Sequence, residues 1–349
     1  MAAHLAVRGF PVALYNRTFA NISVIQARGG IELEAYPGGP HGFGELALAT
    51  SDMGMALADA QIVMVVVPST AHTDIARAAA PHLQDGQIVV LNPGRTGGTL
   101  EFRRVLQENG CAANIDLAEA ETLVYASRSE GPAQARILRI KDAVGLAALP
   151  AARTSRVLKK LVPAFPQFID GTSVLHTGLN NMGAIFHPAI TMLNAGRIES
   201  THGEFQFYLD GVTPSVARML EALDRERVTV AASLGIRART ALEWLKMAYD
   251  AVGATLHEAI HNQAGYRGIR APTTLNHRYI TEDVPMSLVP IAALGQQYGV
   301  RVRGMESIIR QACIIHRTDY WRRGRTLDKL GVDQLSIDEV LRHVLEAER

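Results

Sequence analysis

Residues 61–94 read QIVMVVVPSTAHTDIARAAAPHLQDGQIVVLNPG, and this stretch decides the fold class. Residues 62–67 form an unbroken apolar run closed by Pro68, with the length of a strand and the composition of one buried on both faces of a parallel sheet. Residues 70–83 read as the following helix, and residues 87–94 give a second apolar strand that ends in an Asn-Pro-Gly turn. Strand, helix and strand in this order predict a parallel α/β sheet. Loops at the carboxyl ends of parallel strands are where such sheets bind ligands. Pro68 and Ser69 after the first strand, and Asn92, Pro93 and Gly94 after the second, are therefore candidate cofactor contacts.

The pattern extends both ways. Downstream, LEFRRVLQENG (100–110) reads as a helix ending at Gly110, AANIDLAEA (112–120) as a strand, and FIDGTSVL (168–175) as the last strand. Upstream, IELEA (31–35) and ELALAT (45–50) are strand-like around a PGGPHGFG turn cluster, and Ser51-Asp52 suits the cap of a short helix. MAAHLAVRG reads as a short amphipathic helix stopped by Gly9, and residues 11–15 as a strand ending at Asn16-Arg17-Thr18. A helix followed by such a strand is the second half of a nucleotide-binding βαβ unit. Its first strand and GxGxxG loop are not in the chain, and the expectation is that about 10–20 residues carrying them lie upstream.

At the end of the second strand of such a unit, an acid favours NAD and an arginine accommodates the 2′-phosphate of NADP. Asn16, Arg17 and Thr18 stand there without an acid, so NADP(H) is preferred and NAD(H) allowed.

From about residue 176 the periodicity is helical: GAIFHPAITMLNAG (183–196), TPSVARMLEALDRERVTVAASLG (213–235) and TALEWLKMAYDAVGATLHEAIHNQ (240–263). Thr213-Pro214 and Gly235 suit a helix start and stop, and Ser336 with Glu339 a capping box before VLRHVLEAE. The fold expected is a Rossmann-like doubly wound parallel sheet over residues 1–175, N-terminally incomplete, followed by an all-α substrate domain over residues 176–349.

Three residues in the second half suit chemistry on a small anion. His187 stands before Pro188, which disfavours helical geometry and could project the ring into a cleft. Arg278 and Asp283 lie five residues apart in APTTLNHRYITEDVPMSLVP (271–290). Arginine grips a carboxylate bidentately, histidine changes charge near neutral pH, and a carboxylate can fix its tautomer.

With NPGRTGGTLEF, GAIFHP and HRYITEDVP in view, the chain resembles the opine dehydrogenases, the octopine/nopaline dehydrogenase group, over essentially its whole length. The resemblance implies an NAD(P)-dependent oxidoreductase acting on CH–NH donors. Such an enzyme joins an amino acid amine to a 2-oxo acid through an imine, with substrate between a Rossmann domain and a helical domain of the 6-phosphogluconate dehydrogenase C-terminal type. Carried over by motif, the catalytic residues are His187, Arg278 and Asp283.

His257-Glu258-Ala259-Ile260-His261 is an HExxH pattern on a predicted helix, with Glu282 21 residues beyond as a third ligand, so a zinc-dependent hydrolase is the competing reading. Two glycines and a proline interrupt the intervening segment, and no metal is assigned. Further alternatives are a non-catalytic, decayed Rossmann protein and a reductase of oxo acids that needs no amine.

The chain has 349 residues, 48% hydrophobic and 20% charged, enough for two well-packed domains. Net charge is +1, so nothing calls for nucleic acid or an anionic membrane. Cys111 and Cys313 fit neither a disulfide framework nor a metal knuckle. No apolar run reaches the ~18 residues of a membrane span, and MAAHLAVRGFPVALYNRT lacks a signal peptide's order of basic, apolar and small-residue regions. A cytoplasmic enzyme with small-molecule partners is expected, with a homodimer allowed.

Overall fold

The computed structural model describes residues 1–346. Its strands are β1 (Ala13–Tyr15), β2 (Gly30–Ala35), β3 (Gly42–Glu45), β4 (Leu48–Thr50), β5 (Ile62–Val65), β6 (Ile88–Leu91), β7 (Asp116–Ala120), β8 (Tyr125–Gly131), β9 (Gln134–Ile140), β10 (Val144–Leu149) and β11 (Phe168–Asp170). The largest sheet runs β11-β10-β7-β6-β5. Strands β5, β6 and β7 are parallel; β10 runs antiparallel to β7 and parallel to β11. β6, β7 and β10 are buried along their whole length, as strands covered on both faces are. Ala76, Ala79, Phe102 and Val105, from the helices His72–Ala79 and Gly98–Glu108, share one core with Val89 and Leu91. Val157 and Leu161, from the helix Thr154–Leu161, pack with Ile88 and Val90.

β5 differs from its expected burial. It is the edge of its sheet: Ile62, Val63 and Met64 are half-buried, and Val66 is exposed. β1 pairs only with β4, in a separate two-stranded parallel sheet. An apolar run reports hydrophobic strand character but not how many neighbours the strand has, which is why the sequence reading overstated the burial.

The third sheet runs β3-β2-β9-β8. Part of the PGGPHGFG cluster, expected to be a turn, is β3, which also takes Glu45 from ELALAT, while Leu48–Thr50 forms the separate strand β4. Glycine is needed in β3 for packing: a Cβ on Gly44 would lie 2.7 Å from the carbonyl of Ala3, on the first helix (Ala2–Val7). The β8–β9 hairpin, β10 and the helix Phe19–Arg28 carried no expectation. On the first helix, His4 is buried and shares a 2.7 Å hydrogen bond with the Tyr125 hydroxyl. Burial, with Arg8 nearby, lowers this imidazole to about 4.

After β11, every element among the described residues is helical, apart from an isolated bridge between Gln206 and Arg270. The helix Pro214–Ser233 begins where Thr213 accepts the Val216 N–H and stops before Gly235, whose φ is 70°. The stretch 240–263 is two helices, Ala241–Tyr249 and Leu256–Asn262, parted at Asp250, where φ is 52°. The Ser336–Glu339 capping box forms in full. Residues 347–349, which include the end of VLRHVLEAE, lie outside the described residues.

The helix Met182–Leu193 contains Pro188, so His187 sits within a helix and not at a break. Interior proline costs about 3 kcal/mol. Here Ala184, Ile185, Phe186, Ala189 and Ile190 are all at most 2% exposed, and that burial outweighs the lost hydrogen bond.

Candidate active site

The short helix Arg278–Thr281 is followed by Glu282 and Asp283 and then by a π-helical turn, Val284–Leu288. Such turns often mark functional sites because they re-aim neighbouring side chains. Asp283 is fully buried and lies 2.9 Å from His187 Nδ1 through Oδ2. Tyr279 stacks on the His187 ring, with centroids 4.2 Å apart and planes 20° apart. With Nδ1 turned to the carboxylate, Nε2 has no hydrogen-bond partner among the described residues, and the side chain is 21% exposed. A histidine oriented by a carboxylate at one nitrogen presents the other for proton transfer.

Arg278 does not pair with Asp283. Its guanidinium lies 2.9 Å from Glu282 Oε2 while 55% of the side chain stays exposed. Glu282 is itself buried, and its Oε1 accepts hydrogen bonds from both the N–H and the hydroxyl of Ser69, each at 2.9 Å. The donors of Ser69 are thus turned to Glu282 and its carbonyl to Arg325. Its place is to join the loop after β5 to the segment 278–283.

Arg95, which the sequence reading passed over within NPGRTGG, completes the cluster. Its Nη1 lies 3.1 Å from Asp283 Oδ1 and its Nε 3.6 Å from Glu282 Oε1, with the side chain 10% exposed. Burial disfavours the Arg95 charge, but Asp283 and Glu282 outweigh it and raise its proton affinity above the ordinary arginine value. Burial likewise works against the Asp283 carboxylate; Arg95 first, and His187 after it, more than offset this and hold Asp283 below the ordinary aspartate range. The site is an ionised carboxylate shared between a histidine and an arginine.

Arg325, fully buried, clamps the loops that follow β5 and β6. It donates to Glu101 Oε2 (2.6 Å), to the carbonyls of Gly94 (2.9 Å), Thr96 (3.3 Å) and Ser69 (3.3 Å), and to His72 Nδ1 (2.8 Å). Gly94 is a glycine for packing: a methyl there would run into the buried Glu119 carboxylate. Burial raises the proton affinity of Glu119, opposed by hydrogen bonds from Thr177 and Thr99. Asn92 is buried with its Oδ1 accepting no hydrogen bond among the described residues, and the Asn92–Pro93 peptide is cis. Pro68 leads into the single turn Ser69–Ala71 at the end of β5.

At the end of β1, Asn16 Oδ1 accepts from the Thr18 N–H at 2.9 Å. Arg17 is 75% exposed and lies 3.3 Å from Asp74, on the helix His72–Ala79. An ion pair this exposed holds its guanidinium weakly, so Arg17 can turn to a ligand anion.

The HExxH segment lies on the helix Leu256–Asn262, but its groups are engaged elsewhere. The ring nitrogens of His261 lie 2.8 Å from the carbonyl of His257 and 2.9 Å from that of Leu209. Glu258 accepts the Ala254 N–H, and Glu282 belongs to the cluster around Ser69 and Arg95. Among the described residues, no three metal-ligating side chains are assembled. Within the motif, His261 and Glu258 are thus tied to backbone groups.

Residues 171–316 match the family model of the NAD/NADP octopine/nopaline dehydrogenase alpha-helical domain. An opine dehydrogenase of Arthrobacter sp. (strain 1C) is 39% identical over 335 residues, covering 96% of this chain and 92% of that protein. Octopine dehydrogenase solved with NADH and L-arginine superposes with a TM-score of 0.82 at 21% identity, covering 100% of this chain and 96% of the other; its structure with pyruvate gives 0.78. Yersinopine dehydrogenase with NADP+ gives a TM-score of 0.75 at 15% identity, covering 98% and 94%. The structural likenesses establish the Rossmann-plus-helical fold, and the Arthrobacter relative the family. This chain belongs to the octopine/nopaline dehydrogenase family, the NAD(P)-dependent oxidoreductases that act on amino acid CH–NH donors.

Proposed function

We propose that the enzyme reductively joins the amine of an amino acid to a 2-oxo acid through an imine, with His187 as its acid–base group. The observation that carries this reading is the buried Asp283 carboxylate 2.9 Å from His187 Nδ1, which leaves Nε2 for the reacting atoms. Asp283 fixes the tautomer and orientation of the ring. His187 holds a proton at Nε2 and delivers it to the oxygen of the carbinolamine formed by the two substrates. That oxygen leaves as water while the C=N bond forms. Arg278, half exposed and only partly held by Glu282, grips the carboxylate of the oxo acid. Pyruvate and L-arginine, present in the octopine dehydrogenase structures, illustrate the two substrate classes.

The residues fit a nicotinamide cofactor. Asn92, with its unmatched buried Oδ1, lies with Pro93 and Gly94 at the carboxyl end of β6, and Pro68 and Ser69 lie at that of β5. These loops would border the nicotinamide, Ser69 by holding Glu282 in place. Asn16, Arg17 and Thr18 would take the adenosine ribose, and the exposed Arg17, with no acid beside it in this turn, favours NADP(H) over NAD(H). The bound cofactor supplies the hydride that reduces the imine. The change from sheet to helical architecture between β11 and the helix Val174–Leu179 supports a division into substrate and cofactor domains near residue 175.

His187→Ala tests the reading. Turnover falls by roughly 10²–10⁴, the range for a general acid–base group, while nicotinamide binding is kept. Near-normal turnover removes His187 from the mechanism.

A further inference from the structure

We propose that Arg95 is a positioning residue of the reaction: reaching from the loop after β6 to Asp283, it divides the hold of that carboxylate on His187 and so sets the upper pH limit of turnover. The inference rests on His187 being the proton donor.

Four observations support it. Arg95 has a φ of 61°, a left-handed conformation that an L residue other than glycine adopts at a cost of about 1 kcal/mol or more. Its guanidinium takes Asp283 Oδ1 at 3.1 Å while His187 takes Oδ2 at 2.9 Å, so the two compete for one charge. Room for the guanidinium depends on a glycine of the catalytic helix: a Cβ on Gly183 would stand 2.6 Å from Arg95 Nη1 and 3.4 Å from Asp283 Oδ1. Finally, Arg325 holds the carbonyls of Gly94 and Thr96, the residues on either side of Arg95, so the loop is fixed from the helical half of the chain.

The charged and titratable groups around His187 define the sign. From the neighbouring segment 277–283, packed against the helix that carries His187, come His277, Arg278, Tyr279, Glu282 and Asp283; Arg95 enters from the loop after β6, and Arg128 of β8 acts on Tyr279. Removing the Arg95 cation leaves Asp283 and Glu282 with more unneutralised negative charge. The protonated histidine is then retained to higher pH. In the reductive direction the protonated ring is the active form, so the alkaline limb of the profile moves upward, by about 1 pH unit for the loss of one neighbouring charge.

The experiment is the pH dependence of kcat, at saturating cofactor and substrates, for wild type, Arg95→Met and Arg95→Lys. Arg95→Met shifts the alkaline limb up by about 1 unit, and Arg95→Lys, which restores the charge, returns it towards wild type. A methionine variant that is slower but keeps the wild-type limb reduces Arg95 to a structural residue and overturns the proposal. Should Arg95→Met be too slow to assay, the His187 imidazole resonance is titrated by NMR in that variant and in Gly183→Ala, which crowds the guanidinium without removing it. An upward move in both supports the coupling, and an unmoved titration refutes it. If His187→Ala leaves turnover intact, the acid–base reading itself has failed. If His187→Ala abolishes turnover while Arg95→Met leaves the limb unmoved, only the role of Arg95 has.

Discussion

Replacing Arg325 by methionine removes a charge from a side chain with no exposure to solvent. The variant keeps most of the side-chain volume, so the loss is electrostatic. Glu101, 6% exposed, loses its 2.6 Å partner, and the carbonyls of Gly94, Thr96 and Ser69 lose a donor. Breaking a buried pair from one side costs about 3–5 kcal/mol, because the remaining charge stays buried and uncompensated. Urea unfolding, followed by far-UV circular dichroism without cofactor, measures the loss. Arg325→Met/Glu101→Gln distinguishes the source: neutralising the orphaned carboxylate recovers at least about half of the deficit if charge burial dominates. Because the same guanidinium fixes the loops after β5 and β6, the KM for the nicotinamide cofactor rises in both variants. A loss below about 1 kcal/mol, as for a surface pair, or a double variant no better than the single one, refutes the assigned role of Arg325.

Arg278→Lys keeps a positive charge but loses the planar fork, so the KM for the oxo acid rises about tenfold with a smaller change in kcat; initial rates at varied oxo acid check this, and unchanged kinetics contradict the clamp. Stability against urea falls as pH drops from about 6.5 towards 4, because His4 is lowered to about 4 by burial in the folded chain. A depressed imidazole contributes stability above its unfolded value and loses it as pH falls through the folded one, up to on the order of 3 kcal/mol here. His4→Gln flattens that slope, and an unchanged slope assigns the acid sensitivity to other groups.

The parallel sheet was legible because β5 and β6 leave unbroken apolar runs joined by a helix, and β6 is covered on both faces. β8 and β9 were not. Tyr125–Gly131 and Gln134–Ile140 are mostly exposed, and the pairing of β8 with β9 and of β9 with β2 is a tertiary fact that periodicity does not carry. Local caps at Asp52, Thr213 and Ser336 read correctly because each is a contact within three residues. His187, Arg278 and Asp283 were singled out, but their partners were not. Arg95 reaches carboxylates far along the chain, and Ser69 hydrogen-bonds Glu282 213 positions away. The signal that could have found Arg95 is a cation inside a glycine-rich turn at a strand end, a place where a charge needs a partner. Pro188 misled in the opposite direction, since its local cost is overridden by the burial of the helix around it.

The most direct test of the central claim is oxidation of NADPH with pyruvate or 2-oxoglutarate, with and without pooled amino acids. The account expects oxidation that depends on the added amine and a product in which the amine nitrogen is bonded to the former oxo carbon. Equal oxidation without any amine, yielding only the hydroxy acid, would contradict it.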